Sequence, residues 1–258
     1  MKLGGFGFIR DYDAIREAGF DFAELDMPEI EELSEDAYGA FRAHVEETGF
    51  PIPNGARILP IKEPIFFVPG YRETELEPYL KASCRRSAGL GVRTILLGNG
   101  KARWLIDEDS LQREDVFLRF LRMLCEIAGE NGQQVLTEPL GPKYSNYINT
   151  LPEAARVIDA AGMPNLFAMA DLRHFVWAKE PFEDLVRYRE IVRHVHVDYP
   201  LSFPARNWPR VEDDYDYAPF FAQLRDYDGT LTVEADVPDD WMRAGREARE
   251  LLAAYRKI

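Results

Sequence analysis

Short apolar segments of strand character alternate with amphipathic segments of helical character along almost the whole chain. Most boundaries between the two kinds of segment coincide with Gly or Pro. Such alternation is the pattern of βαβ units, in which crossover helices join parallel strands. The candidate strands are residues 3–9, 20–27, 51–59, 92–97, 133–139, 165–174, 193–198 and 230–236.

Eight strand–helix repeats within about 250 residues are typical of the (β/α)8 barrel. The sequence therefore predicts a single (β/α)8 TIM barrel, and a doubly wound open sheet is the alternative fold. No linker rich in Gly, Ser or Pro interrupts the pattern, so we expect one domain over residues 1–258. The candidate helices are residues 11–18, 34–48, 75–88, 109–131, 150–162, 181–190, 217–225 and 241–256.

The composition of the chain indicates which partners and which cell compartment to expect. The formal net charge of −14 disfavours binding to a phosphate backbone, so no nucleic-acid partner is expected. Cys84 and Cys125 lie in helical patterns without a CxxC spacing, which is typical of structural thiols in a reducing compartment. The N-terminal residues lack an apolar signal core, and no run is long enough to cross a membrane. We expect a cytoplasmic protein with a small-molecule partner and no membrane partner.

Four side chains able to bind a metal stand at the ends of the last four candidate strands. They are Glu138, Asp171, His196 and Glu234. In a barrel these ends meet at one mouth. Each residue alone is an ordinary loop or core residue, but each interrupts an apolar run, where a buried charge needs compensation. A shared cation supplies it, and an oxygen-rich set with one imidazole suits Mn²⁺ or Mg²⁺, with Co²⁺ or Zn²⁺ as alternatives.

The short motifs around these residues resemble a known superfamily. They are Glu138-Pro139-Leu140, the D-x-x-H of 171–174, the H-x-H-x-D of 194–198 and the V-E-A-D of 233–236. In order and spacing they resemble the xylose-isomerase-like TIM-barrel superfamily. This group includes ketose epimerases, hydroxypyruvate isomerase and inosose dehydratase.

The resemblance implies a role for each site residue. Glu138, Asp171, His196 and Glu234 would hold one divalent cation, with Mn²⁺ as the first choice. Glu138 and Glu234 would also be the catalytic pair that removes and returns a proton.

Three further residues gain roles from the same resemblance. His174 and Arg206 would bind substrate oxygens, with Arg210 as the alternative arginine. Asp198 would orient His196 from behind the metal site. His194 is interpreted as a packed, hydrogen-bonded residue one layer deeper.

These roles imply a metal-dependent isomerase or epimerase of a sugar, sugar acid or hydroxy-keto acid. Proton transfer would proceed through a metal-stabilised enediolate. A related dehydratase is one alternative. A non-catalytic sugar-binding barrel or partner subunit is another. A homo-oligomer is left open whichever function holds. The apolar loops at 60–69 and 201–208 would then be interfaces rather than lids or packed loops.

Other enzyme classes lack their signatures. A multi-metal endonuclease needs more than the four histidines present. GxSxG, a P-loop and a dinucleotide glycine fingerprint are also missing.

The segment after Glu138 departs from the ketose-epimerase pattern. Ketose epimerases tend to carry an asparagine–arginine run and a second glutamate here, whereas this chain continues Leu140-Gly141-Pro142-Lys143-Tyr144. Lys143 and Tyr144 are candidates to meet a carboxylate or phosphate, and a solvated loop lysine is the alternative interpretation.

Overall fold

The computed structural model describes residues 1–255, and in this range eight parallel strands close into one barrel. Each strand pairs with the next in sequence, and the eighth pairs with the first. The barrel predicted from the sequence is therefore confirmed. The strands are β1 Lys2–Gly7, β2 Phe22–Asp26, β3 Asn54–Ala56, β4 Thr94–Leu97, β5 Gln134–Thr137, β6 Leu166–Asp171, β7 Val192–Val197 and β8 Thr230–Val233.

Helices join the strands and cover the outside of the barrel. They are α1 Tyr12–Glu17, α2 Met27–Glu32, α3 Glu35–Thr48, α4 Glu77–Gly89, α5 Glu114–Glu130, α6 Leu151–Ala161, α7 Leu172–Ala178, α8 Asp184–Arg187, α9 Ala218–Gln223 and α10 Trp241–Tyr255. Short 3-10 turns cover Ile9–Asp11, Glu73–Leu76 and Ser110–Arg113. The predicted last residue of the final helix, 256, lies outside the described residues.

Two short helices begin where the sequence pattern predicted strand or loop. An aspartate ends the strand in each case, because its side chain accepts hydrogen bonds from backbone N–H groups of the following turn. Asp26 accepts from Glu29, and Asp171 accepts from Arg173 and His174. His174 therefore lies in the first turn of α7 rather than in the predicted strand 165–174.

The apolar loop at 60–69 packs on its own chain. Phe66 and Phe67 are fully buried, and the Phe66 ring lies 5.2 Å from the Phe117 ring and 4.3 Å from the Phe120 ring of α5. The backbone N–H groups of Ile65 and Phe66 donate to the Ala102 carbonyl. The aromatic part of this loop is thus a packed element of the barrel rim.

Three consecutive loops at the carboxyl ends of β3, β4 and β5 are connected to one another. The Asn99 side chain accepts from the Leu59 N–H at 3.2 Å and donates to the Leu59 carbonyl at 2.6 Å. A Cβ atom at Gly100 would lie 2.4 Å from the Tyr144 carbonyl oxygen, so only glycine permits this approach. These contacts fix one side of the barrel mouth.

Among the described residues, no helix has both the length and the apolar character needed to cross a membrane.

Candidate metal centre and active-site cavity

The four predicted metal ligands converge at the carboxyl end of the barrel. Glu138 directly follows β5, Asp171 ends β6, His196 lies in β7 and Glu234 directly follows β8. One ligand atom of each residue can be chosen so that all lie within 4.8 Å of one another. The separation suits ligands around a single ion, because metal–oxygen and metal–nitrogen bonds of about 2.0–2.6 Å place ligands on opposite sides of an ion twice that far apart.

His196 presents a ring nitrogen to the centre of this cluster. Its Nε2 lies 2.8 Å from Glu24 Oε1, and a carboxylate oxygen there requires that Nε2 carry the proton. Its Nδ1 lies 3.1 Å from Glu234 Oε2 and 3.9 Å from Asp171 Oδ2. In a neutral ring Nδ1 is an acceptor, so two acceptors face each other. Such a pair needs a proton or a cation between them, and the residues therefore fit a metal ion.

The charges of the cluster shift its pKa values in opposite directions. Burial raises the pKa of Glu138 to about 8, and the charge on Glu234 acts in the same sense. Burial also opposes ionisation of Glu234, but Arg206 and His196 outweigh it and lower the pKa of Glu234. Burial disfavours the His196 imidazolium, yet Glu24 and Glu234 raise the pKa of His196 well above its usual value. Without a metal, a proton on His196 therefore offsets part of the negative charge.

Arg206 lies against the cluster. Its guanidinium contacts Asp171 Oδ2 at 2.5 Å, pairs with Glu234 Oε2, and contacts Asp198 Oδ2 at 3.1 Å. Arg210, the alternative arginine, instead pairs with Glu247 of α10 at 3.1 Å. Of the two arginines, Arg206 is the one that reaches the predicted ligands.

Asp198 makes different contacts from those expected. Its carboxylate lies 2.5 Å from Arg173 Nη2 and 3.1 Å from Arg206 Nε, whereas Glu24 holds the outer nitrogen of His196. Asp198 thus acts on the two arginines, and the expectation that it orients His196 is corrected. Burial raises the pKa of Asp198 to about 6, against the effect of those arginines.

His174 borders the cluster from α7. Its Nε2 lies 3.5 Å from Glu138 Oε1 and 3.9 Å from Asp171 Oδ2, and burial lowers the pKa of His174 to about 4. A cavity of about 360 Å³ opens above these residues. Glu138, Glu234, His174 and Arg206 all line it, so the cavity gives a small molecule access to the residues predicted to act in proton transfer or substrate binding.

Three residues that support the site were not singled out from the sequence. Glu24 is fully buried inside the barrel, accepts a hydrogen bond from His196 Nε2, and contacts His194 Nε2 with its other oxygen. Arg103 is also buried, and it donates to the backbone carbonyls of Leu97 and Glu138. Arg173 holds Asp198. The alternation of apolar and acidic residues in strand 20–27 places Glu24 on one face of the strand, and this alternation could have identified it. No comparable sequence pattern marks Arg103 or Arg173.

His194 fulfils the interpretation as a packed, hydrogen-bonded residue. It is fully buried, its Nε2 lies 2.9 Å from Glu24 Oε2, and its Nδ1 lies 2.7 Å from Thr230 Oγ1. Glu24, His194 and His196 also form a group of possible ligands. The short contacts of the Glu24 carboxylate with both rings account for this arrangement without an ion.

The family model of the xylose isomerase-like TIM barrel matches residues 12–258. The chain therefore belongs to this family. No curated protein sequence matches it.

Several solved structures share the fold at low sequence identity. An Escherichia coli 3-keto-D-glucoside 4-epimerase, YcjR, is 22% identical with a TM-score of 0.79, covering 98% of this chain and 99% of its own. A D-psicose 3-epimerase is 17% identical with a TM-score of 0.81, covering 100% and 99%. A probable 3-DHS dehydratase, AsbF, from Bacillus anthracis is 16% identical with a TM-score of 0.76, covering 97% and 98%.

Proposed function

We propose that the chain is a divalent-metal-dependent isomerase or epimerase of a sugar or sugar acid. The observation that carries the proposal is the convergence of four possible ligands, one atom of each within 4.8 Å of the others, with His196 Nδ1 and Glu234 Oε2 3.1 Å apart. Similarity of fold to sugar epimerases and to a dehydratase agrees with it. Glu138, Asp171, His196 and Glu234 would hold the ion, and Mn²⁺ is the first candidate.

Removing a proton from carbon is the difficult step of such a reaction, because a C–H next to a carbonyl is very weakly acidic. A bound divalent cation would stabilise the negative charge that develops on the carbonyl oxygen during deprotonation. One of the two glutamates, Glu138 or Glu234, takes the proton from carbon as the base, and the other returns it.

The two glutamates approach the cavity from separate parts of the barrel. Glu138 follows β5 and Glu234 follows β8, with β6 and β7 between them. Proton return to the opposite face of the same carbon gives an epimer, and return to the neighbouring carbon gives aldose–ketose isomerisation. His174 and Arg206 bind the substrate oxygens and keep the reacting carbon between the glutamates.

Deuterium exchange tests the reaction without knowledge of the product. The protein is incubated with Mn²⁺ in D₂O and a panel of ketoses, hydroxy-keto acids and inososes, and NMR records deuterium at carbon. Purified protein should contain close to one divalent ion per chain, and at least one substrate should exchange. Glu234→Gln should abolish exchange while the far-ultraviolet circular dichroism stays unchanged.

Glu180→Gln is the matched control, because Glu180 is 8% exposed but lies outside the cluster. It should exchange at the wild-type rate. Loss of water from an inosose would assign the dehydratase alternative. A metal-free protein without exchange on any member of the panel would refute the proposal and favour a non-catalytic barrel.

A further inference from the structure

The cavity above the cluster has a rim of basic side chains. Lys62, Lys101 and Lys143 line it and are exposed to solvent. They come from the loops after β3, β4 and β5 respectively. The carboxylates that line the cavity are Glu138 and Glu234, both in the candidate metal cluster. Three lysines therefore lie at the mouth of one cavity, although the net charge of the chain is −14.

The three lysines lack an acidic partner in the part of the chain that the structure describes. Within residues 1–255, none of them forms an ion pair. The two arginines that line the cavity differ in this respect: Arg57 contacts Asp26 at 2.5 Å, and Arg206 contacts Asp171 at the same distance. The rim therefore offers positive charge that the protein itself leaves unused.

Lys143 is held in place by aromatic faces. Its Nζ lies 3.4 Å from the centroid of the Trp177 ring and 4.1 Å from the centroid of the Phe203 ring. Cation–π contacts restrict an ammonium group but leave its charge and hydrogen-bond donors available. The following residue, Tyr144, lines the same cavity and packs edge-on against His174 at 4.9 Å. Lys143 is thus adjacent in the chain to Tyr144, which packs on the histidine that borders the metal cluster.

The loops that carry the lysines form a connected unit. The Asn99–Leu59 hydrogen bonds join the Lys62 loop to the Lys101 loop, and the close approach of Gly100 to Tyr144 joins the Lys101 loop to the Lys143 loop. A ligand would therefore meet cations whose backbones are already fixed, which reduces the entropic cost of binding.

We propose that the substrate carries an anionic group, a carboxylate or a phosphate, which Lys62, Lys101 and Lys143 bind at the rim. This inference rests on the proposed function, because a divalent cation together with Arg206 would balance the charges of Glu138, Asp171 and Glu234. The lysines then remain as the excess charge of the cavity. The reacting carbonyl lies at the glutamates, and the anionic group lies towards the loops after β3 to β5.

A binding experiment tests the rim independently of turnover. Glycerol 3-phosphate, glycerate and glycerol are titrated by calorimetry into the Mg²⁺-loaded protein at 50 and 200 mM salt. The variants are Lys62→Gln and the double variant Lys101→Gln/Lys143→Gln. Lys81→Gln is the matched control, because Lys81 lies on the outer helix α4 and pairs with Glu77 at 2.7 Å.

We expect the anionic probes to bind wild type and Lys81→Gln equally, more weakly at the higher salt, and glycerol to bind much more weakly than either. Each lysine removed should weaken anion binding roughly twofold to fivefold, as for a partly exposed charge pair. If the lysine variants lose binding of glycerate alone, the anionic group is a carboxylate; if they lose binding of glycerol 3-phosphate alone, it is a phosphate. Anion binding unchanged in the double variant, or glycerol binding as tightly as the anions, overturns the inference.

The proposed anion site and the proposed reaction can be refuted separately. Deuterium exchange is compared for a free ketose and its terminal phosphate in wild type and the double variant. Exchange that favours the free ketose and ignores the lysines refutes the anion site and leaves the reaction standing. Lysine-dependent anion binding without exchange on any substrate refutes the reaction instead.

Discussion

Replacing Glu24 by glutamine should weaken metal binding without removing any predicted ligand. Glu24 Oε1 accepts from His196 Nε2 at 2.8 Å, and Oε2 lies 2.9 Å from both His194 Nε2 and Thr232 Oγ1. The carboxylate can accept all three hydrogen bonds, whereas glutamine offers one acceptor oxygen. The buried negative charge behind His196 is lost as well, and with it the increase in basicity that it gives Nδ1.

The size of the effect follows from these contacts. Loss of such a partner typically costs tenfold to a hundredfold in metal affinity, about 1.4 to 2.7 kcal/mol. Glu24→Gln should lie near tenfold, because its amide oxygen still accepts the hydrogen bond from His196 Nε2. Glu24→Leu leaves the His196 N–H unpaired, so we expect about a hundredfold and a further loss of roughly 1–3 kcal/mol in folding stability.

Competition with a chelator measures the Mn²⁺ dissociation constant, and thermal unfolding in EDTA measures the stability of the metal-free protein. His194→Gln is the control, since it removes the other imidazole bonded to Glu24 and leaves His196 and its Glu24 contact in place. It should change the dissociation constant less than threefold. A folded Glu24→Gln protein that binds Mn²⁺ within twofold of wild type would refute the role assigned to Glu24.

Two other substitutions test the ligand geometry and the buried charges. A Cβ at Gly98 would lie 2.0 Å from Glu138 Oε2, so Gly98→Ala should displace that carboxylate and lower Mn²⁺ affinity and deuterium exchange, whereas Gly39→Ala, in open space on α3, should change neither. An unchanged Mn²⁺ titration of folded Gly98→Ala would contradict the assigned geometry. Burial raises the pKa of Glu180 to about 8, so the folded chain keeps a proton that the unfolded chain releases above its usual pKa. Stability from Glu180 is therefore complete at low pH and falls by about 1.4 kcal/mol per unit between roughly pH 5 and 8. The unfolding free energy of Glu180→Gln, measured with urea, should lack this part of the pH dependence. If wild type and Glu180→Gln lost stability with pH in parallel, the raised pKa of Glu180 would be contradicted.

The repeated strand-and-helix pattern was sufficient to predict the barrel, because its period and its Gly and Pro boundaries are local properties. The same topology predicted that Glu138, Asp171, His196 and Glu234 would meet, since parallel strands end at one mouth. The local pattern did not identify where β6 ends. Asp171 begins α7 by accepting from backbone N–H groups, which the alternating apolar residues around it do not signal.

Contacts between residues far apart in the chain could not be predicted from the sequence. Glu24 and His196 are separated by 172 positions, and no local pattern joins them. Asp198 shows that a position after a strand does not determine a partner: its place after β7 suggested His196, whereas Arg173 of α7 and Arg206, in the same segment after β7, reach it. Side-chain partners inside the barrel depend on register and reach, which a single sequence does not specify.

Arg206 lies in the segment after β7 and grips the carboxylates of Asp171 and Glu234. An ion arriving at those oxygens competes with the guanidinium for the same lone pairs, so loading the metal should release Arg206 from Asp171 and Glu234. Asp198 and the backbone hydrogen bonds between Arg206 and Asp236 do not involve the ion, so the segment should keep the freed guanidinium at the cavity. The arginine would thus act as a resident counter-charge that keeps the acidic centre folded until metal arrives.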